Sequence, residues 1–162
     1  MTNELESVVK LPPVMQIGFA VVDVDRAIEY YSATFGWGPF EVQDIDLEYV
    51  DGHGQPGRCR LKVAITNSGP VQIEIQQVLE GEHPIKTYIQ ERGEGINHLC
   101  FMVDDLTRIV SDLAGEGIKP LIHGSLPLWE NTYLNFACMD TEKIGGTMIE
   151  LVQLEDRGQQ RG

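Results

Sequence analysis

No stretch of this chain is apolar for the roughly 18 residues that a membrane-spanning helix needs, so no span is expected. Basic side chains are scarce: 12 Lys and Arg stand against 25 Asp and Glu, a formal net charge of −13. That balance repels phosphate backbones and anionic headgroups, which argues against nucleic-acid and membrane-surface roles. Cysteine is sparse. Cys59, Cys100 and Cys138 are odd in number, far apart and without a CxxC spacing. A disulfide framework or structural zinc site is therefore not expected, and a cytoplasmic, reducing compartment is. Burial as small hydrophobes is the ordinary fate of such thiols. Glu4 and Glu6 precede any apolar stretch, so the N-terminus does not read as a secretory leader.

What is present is a globular composition, 42% hydrophobic and 23% charged over 162 residues, enough for one domain or two half-domains sharing a core. Within it lies an internal repeat. Gln16-Ile-Gly-Phe-Ala-Val-Val-Asp-Val-Asp-Arg-Ala-Ile matches His98-Leu-Cys-Phe-Met-Val-Asp-Asp-Leu-Thr-Arg-Ile-Val at an offset of 82. Gln72-Ile-Glu-Ile-Gln-Gln lies over Met148-Ile-Glu-Leu-Val-Gln at an offset of 76.

Each copy opens with a strand in which apolar residues alternate, followed by a helix. Val24, Ala27, Ile28 and Tyr31 recur at helical spacing, as do Leu106, Ile109, Val110 and Leu113. Asp23 and Asp105 stand where N-caps are wanted. Extended stretches follow at 40–50, 60–66 and 71–77, and again at 119–123, 132–138 and 147–153. The fold expected is α+β: two tandem βαβββ modules, 14–79 and 95–154, forming a U-shaped, partly closed mixed sheet with helices outside. A linker, 80–94, holds a short helix at 84–92, and 1–13 and 155–162 are tails.

Period-2 alternation then places four polar residues on one face. If Ile17 and Phe19, Ile73 and Ile75, Leu99 and Phe101, and Ile149 and Leu151 face the helices, then Gln16, Glu74, His98 and Glu150 face the concave side. The repeat pairs Gln16 with His98 and Glu74 with Glu150. Singly, each reads as a solvent-facing strand position; together, symmetry makes a divalent metal (Zn, Co, Ni, Mn or Fe) the better explanation.

Tandem modules with this quartet resemble the vicinal oxygen chelate superfamily of glyoxalases, dioxygenases and bleomycin-resistance proteins. Within it the methylmalonyl-CoA epimerase family is most similar, through Gln16-Ile-Gly-Phe-Ala-Val, His83-Pro-Ile-Lys-Thr-Tyr-Ile, Gly95-Ile-Asn-His-Leu-Cys-Phe-Met-Val-Asp-Asp and Gly145-Gly-Thr-Met-Ile-Glu-Leu-Val. The resemblance implies a metal-dependent homodimer that abstracts a proton alpha to a carbonyl, with a CoA thioester as substrate. His98 and Glu150 match metal ligands of that family, Glu74 falls where it has Gln or Glu, and Gln16 replaces its usual His. Glu150 would also carry a proton. Arg58 stands where the second proton carrier is expected, leaving Asp44, Asp46, Glu48 and Asp51 as nearby candidates with Glu48 the first to test, although an acidic strand is more often a solvated face.

The quartet is also similar to that of zinc-type glyoxalase I, so an isomerase or lyase acting on another small carbonyl compound is an alternative. Ala20, Val78 and Glu94 at the glutathione positions argue against glutathione itself. A sequestering protein without turnover is a third reading. Trp37 and Trp129 are candidate pocket walls or packing residues, and Tyr133 and Asn135 are candidate substrate contacts or polar positions of the concave face.

Overall fold

A computed structural model of the chain describes residues 6–158 apart from 142 and 144, so the outer parts of both tails lie outside the described residues. Two βαβββ runs follow one another. The first contains β1 (Gln16–Ala20), α1 (Val24–Phe35), β2 (Glu41–Asp51), β3 (Pro56–Ser68) and β4 (Val71–Gly81). The helix α2 (Pro84–Arg92) connects it to β5 (Gly95–Met102), α3 (Leu106–Gly115), β6 (Pro120–Trp129), β7 (Thr132–Met139) and β8 (Met148–Asp156).

Both long helices start in the same way. Asp23 accepts the Arg26 N–H at 3.0 Å and Asp105 accepts the Arg108 N–H at 3.0 Å, satisfying donors that a helix end leaves unpaired. A second tie reaches across the fold: Gln77 accepts from the Val24 amide and Gln153 from the Leu106 amide, each at 3.0 Å. These glutamines are repeat equivalents, and each locks its module's helix to its module's last strand. Gly36 closes α1 at φ 69°, a left-handed position that suits glycine.

The eight strands form a closed barrel in the order β1-β4-β3-β2-β6-β7-β8-β5. Two joins unite the modules. β1 and β5 run antiparallel and pair Gln16 with Cys100 and Gly18 with His98. On the far side, β2 and β6 meet through three pairs, Tyr49 with Gly124, Val50 with His123 and Asp51 with Ile122. This second join closes the U expected of the two tandem modules. Gly124 permits it, because a Cβ there would lie 2.7 Å from the Glu48 carbonyl oxygen and 2.9 Å from the Phe136 ring. As a potential strand breaker in sequence, the same glycine hides the full length of β6, which continues to Trp129.

Helix α1 packs Val24, Ala27, Ile28 and Tyr31 outside the barrel against Ala64 and Ile75. Helix α3 packs Leu106 and Ile109 against Ala137, Met139 and Leu151. Helix α2 sets Ile85, Tyr88 and Ile89 against Ala20 and Val78. A separate core fills the interior, with Leu47, Leu61, Val63, Phe136, Cys138 and Met148 among its members. Among the described residues no helix is long and apolar enough to cross a membrane.

Candidate metal centre

Strands β4, β1, β5 and β8 are neighbours in the barrel, and each contributes one member of a polar quartet, Glu74, Gln16, His98 and Glu150. The four converge on a single atom. His98 Nε2 lies 3.2 Å from Glu150 Oε2, 3.3 Å from Glu74 Oε2 and 3.4 Å from Gln16 Oε1. Ligand atoms of Glu74, His98 and Glu150 all fall within 4.8 Å of one another. Their side chains are 10%, 2% and 18% exposed respectively, so Glu150 is the most accessible of the three.

Register explains how a ring fits among these groups. Gly18 lies between His98 on one neighbouring strand and Glu74 on the other, and a Cβ on Gly18 would fall on the His98 imidazole. The repeat carries Gly18 onto Cys100, which lies correspondingly between Gln16 and Glu150. Each module thus places a small residue opposite the other module's nitrogen- or amide-bearing ligand. Two further residues fix orientation. His98 Nδ1 is 3.1 Å from Asn97 Oδ1, which suits a proton on Nδ1 and leaves the Nε2 lone pair facing the three oxygens. Gln16 Nε2 donates to Gln72 Oε1 at 2.6 Å, turning the Gln16 oxygen toward the centre. Sequence alternation does not single out Gly18, Gln72 or Asn97, whose roles depend on cross-strand register or on a bulge.

A lone pair facing three oxygens is a repulsive arrangement unless a cation or proton stands between them. Glu74 Oε2 is buried and has no aligned hydrogen-bond donor; its contact with His98 is one of proximity. One imidazole, two carboxylates and an amide oxygen are donors that divalent first-row ions accept, so these residues fit such an ion. Without one, the charges strain against burial. Burial raises the Glu150 pKa, the neighbouring His98 offsets part of that, and Glu74 adds to it. For His98, burial opposes the charged ring, but Glu150 and Glu74 outweigh it and hold the pKa above the ordinary imidazole value.

Glu74, His98 and Glu150 border a cavity of about 90 Å³, and Gln16 lies behind them, off its wall. Ile45, Leu47, Leu61, Leu126, Leu134 and Phe136 make up much of its apolar wall, and no Lys or Arg lines it. His83 and Gln76 also reach it. His83 caps α2, its Nδ1 accepting the Ile85 N–H at 3.3 Å, and burial followed by the influence of His98 lowers its pKa to about 3.

Several sequence candidates lie elsewhere. Glu48 is exposed on β2, alternating with the inward Leu47, and borders a groove of about 670 Å³ at the β2–β6 join together with Arg58 and His123. None of the residues lining that groove lines the quartet's cavity. Trp37 stacks on Tyr31 at 4.8 Å beside α1, so it packs outside the barrel. Trp129 is 63% exposed at the end of β6. Tyr133 and Asn135 do not face the cavity as a concave-face position requires. Leu134 and Phe136 take the inward positions, while Arg157 covers the Tyr133 ring at 3.9 Å and Asn135 donates to Glu155 at 2.9 Å. Glu94 accepts the Val22 N–H at 2.7 Å.

All three thiols are buried, and burial raises their pKa values, that of Cys59 to about 11. Few thiolates therefore form at about pH 8, and fewer can be reached. An aromatic disulfide reagent is expected to titrate no thiol in the native protein and all three after denaturation; prompt native reaction would contradict this packing.

A model of the Glyoxalase/Bleomycin resistance protein/Dioxygenase superfamily matches residues 15–136. Mouse mitochondrial methylmalonyl-CoA epimerase is 25% identical over 159 residues, covering 93% of this chain and 78% of that protein. A methylmalonyl-CoA epimerase variant from Streptomyces coelicolor, in complex with 2-nitronate-propionyl-CoA, superposes with a TM-score of 0.60 at 20% identity, covering 89% of this chain and 95% of that one. A mutant 4-hydroxymandelate synthase from the same organism reaches 0.61 at 15% identity, with 90% of this chain matching 49% of that one. That last likeness spans different chemistries and so speaks for the fold alone. Matched over most of its length, the chain belongs to the glyoxalase/bleomycin resistance protein/dioxygenase superfamily.

Proposed function

We propose that the protein is a metal-dependent isomerase that removes and returns a proton alpha to a carbonyl, as an epimerase of the methylmalonyl-CoA epimerase type. The observation that carries this reading is the convergence of Gln16 Oε1, Glu74 Oε2 and Glu150 Oε2 on His98 Nε2 at the edge of an apolar cavity. A divalent ion held by Gln16, Glu74, His98 and Glu150 would supply Lewis acidity toward a carbonyl oxygen, favouring loss of the neighbouring proton.

The chain's own residues do the rest. Glu150 accepts the α-proton on a carboxylate oxygen. Burial raises its pKa, so it is a stronger base than an exposed glutamate. Cys100 is its cross-strand neighbour on β5. Inversion requires a second carrier on the opposite face. Glu74 is the other carboxylate bordering the cavity, and it takes that role in place of the outward Glu48. Apolar walls exclude water from the carbanionic centre. A cavity of about 90 Å³ holds a small acyl group, so the coenzyme portion of a CoA thioester would lie outside it. A homodimer belongs to the same proposal, with the exposed Tyr30 and Phe35 as apolar surface available for cover.

Charge favours a second reading. Glu74 and Glu150 together offset a divalent ion, and no Lys or Arg lines the cavity to receive a substrate carboxylate. An uncharged small carbonyl compound, isomerised in the manner of a glyoxalase, suits that balance. Incubation of the Co²⁺-loaded protein with methylmalonyl-CoA in D₂O separates the readings. Loss of the α-proton NMR signal at catalytic rates, abolished by chelator, is expected of the epimerase. Absence of exchange in metal-loaded protein, with exchange in a neutral hydroxyketone, would transfer the proposal to the second reading; exchange in neither would leave sequestration.

A further inference from the structure

His83 is buried more deeply than helix capping requires. The residue is 8% exposed and borders the cavity, while its Nδ1 accepts the Ile85 N–H at the start of α2. Serine, threonine, aspartate or asparagine caps a helix as well or better without burying an imidazole, so capping does not account for this ring. Nor is His83 one of the groups drawn together around His98, where the converging ligand atoms belong to Glu74, His98 and Glu150. With Nδ1 occupied as an acceptor, a neutral ring carries its proton on Nε2. That nitrogen has no hydrogen-bond partner among the described residues, and every Lys and Arg is absent from the cavity lining.

We propose that His83 is a substrate-binding residue whose Nε2–H donates to an oxygen of the molecule entering the cavity. The low pKa, about 3, agrees with a ring that stays neutral and acts as a hydrogen-bond donor without exchanging its proton. A neutral donor discriminates between ligands. It can bind a carbonyl, hydroxyl or enolate oxygen, yet it adds no charge to offset a carboxylate. The ligand class it favours is therefore a small, uncharged oxygen-bearing compound that reaches His83 and the Glu74–His98–Glu150 wall of the same cavity. The inference shares with the isomerase reading only the placement of the substrate in this cavity.

Acetohydroxamate, a small planar molecule with adjacent oxygens, tests it on the Zn²⁺-loaded protein. Nitrogen-15 NMR is expected to show the Nε2–H tautomer of His83 in the free protein, with the signal identified by its loss in His83→Ser. Calorimetry is expected to show about 10-fold or greater weakening of acetohydroxamate binding in His83→Ser, the effect of one lost buried hydrogen bond. Zn²⁺ affinity should not change, and His83→Asn, which retains both a cap and an N–H donor, should recover part of the binding. An Nδ1–H tautomer, equal acetohydroxamate affinity in His83→Ser, or a parallel loss of Zn²⁺ affinity would each overturn the proposal. If methylmalonyl-CoA fails to exchange while His83→Ser still weakens acetohydroxamate binding, the epimerase reading falls and this one stands. If exchange occurs and the variant binds acetohydroxamate normally, the reverse holds.

Discussion

Gly18→Ala is expected to abolish the proposed metal binding while leaving the barrel folded. The new methyl would occupy the space of the His98 imidazole, which cannot retreat easily. Its side chain is only 2% exposed, Asn97 holds its Nδ1, and the other flank of residue 18 is Glu74. Overpacking of this kind typically costs about 1–3 kcal/mol, and here part of that is relieved by rotating the ring away from the carboxylates. Rotation removes the nitrogen donor from the quartet, so Co²⁺ affinity should fall by about 100-fold or more, as for loss of a ligand held by a strong orienting contact. Titration followed by Co²⁺ absorbance measures this. Gly115→Ala is the control, because nothing lies within 4 Å of a Cβ there. Equal Co²⁺ affinity in Gly18→Ala would mean that the imidazole has another place to bind from.

Glu150→Gln should move activity and stability in opposite directions. An amide cannot accept the α-proton, so isotope exchange should fall by about 10³-fold, within the usual contribution of a positioned general base. Stability follows a different balance. The carboxylate is disfavoured first by burial and further by Glu74, with His98 offsetting only part of this. A neutral side chain of the same shape removes the unfavourable interactions, and removal of such functional strain commonly adds about 0.5–2 kcal/mol. The metal-free variant should therefore melt no lower than the metal-free parent. Chelator should lower the melting temperature less in the variant, because the metal contributes less when one anionic ligand is gone. A variant that retains exchange rules out Glu150 as the base. One that melts well below the parent shows that Glu150 serves the fold.

The quartet could be read from sequence because its strands alternate strictly and the repeat supplies two views of the same face. The same rule fails on the other half of the ring. Gln16, Glu74, His98 and Glu150 face in from β1, β4, β5 and β8, whereas Leu47, Leu61, Val63, Leu126, Leu134 and Phe136 make the interior apolar along β2, β3, β6 and β7. Alternation reports that Leu134 and Phe136 oppose Tyr133 and Asn135, yet both faces of β7 are covered over part of its length. Ala137 and Met139 lie under α3 while Phe136 and Cys138 line the interior, so hydrophobicity alone does not say which face is inside. Glu48 is outward for the same reason. The closed barrel was less legible than its modules, since Gly124 acts through its distance from a strand more than 70 residues away, and such proximity leaves no local pattern. Gln77 and Gln153 illustrate the opposite case, in which identity across the repeat matches an identical hydrogen bond to a helix start.

A ring of strands opens first at its weakest clasp. The β1–β5 join has five register pairs and carries Gln16 and His98, whereas the β2–β6 join has three and carries none of the quartet. The barrel is thus a cuff whose longer join carries the proposed ligands and whose shorter join carries none of them. Widening it for a guest larger than about 90 Å³ separates hydrocarbon walls before it separates Gln16 from His98.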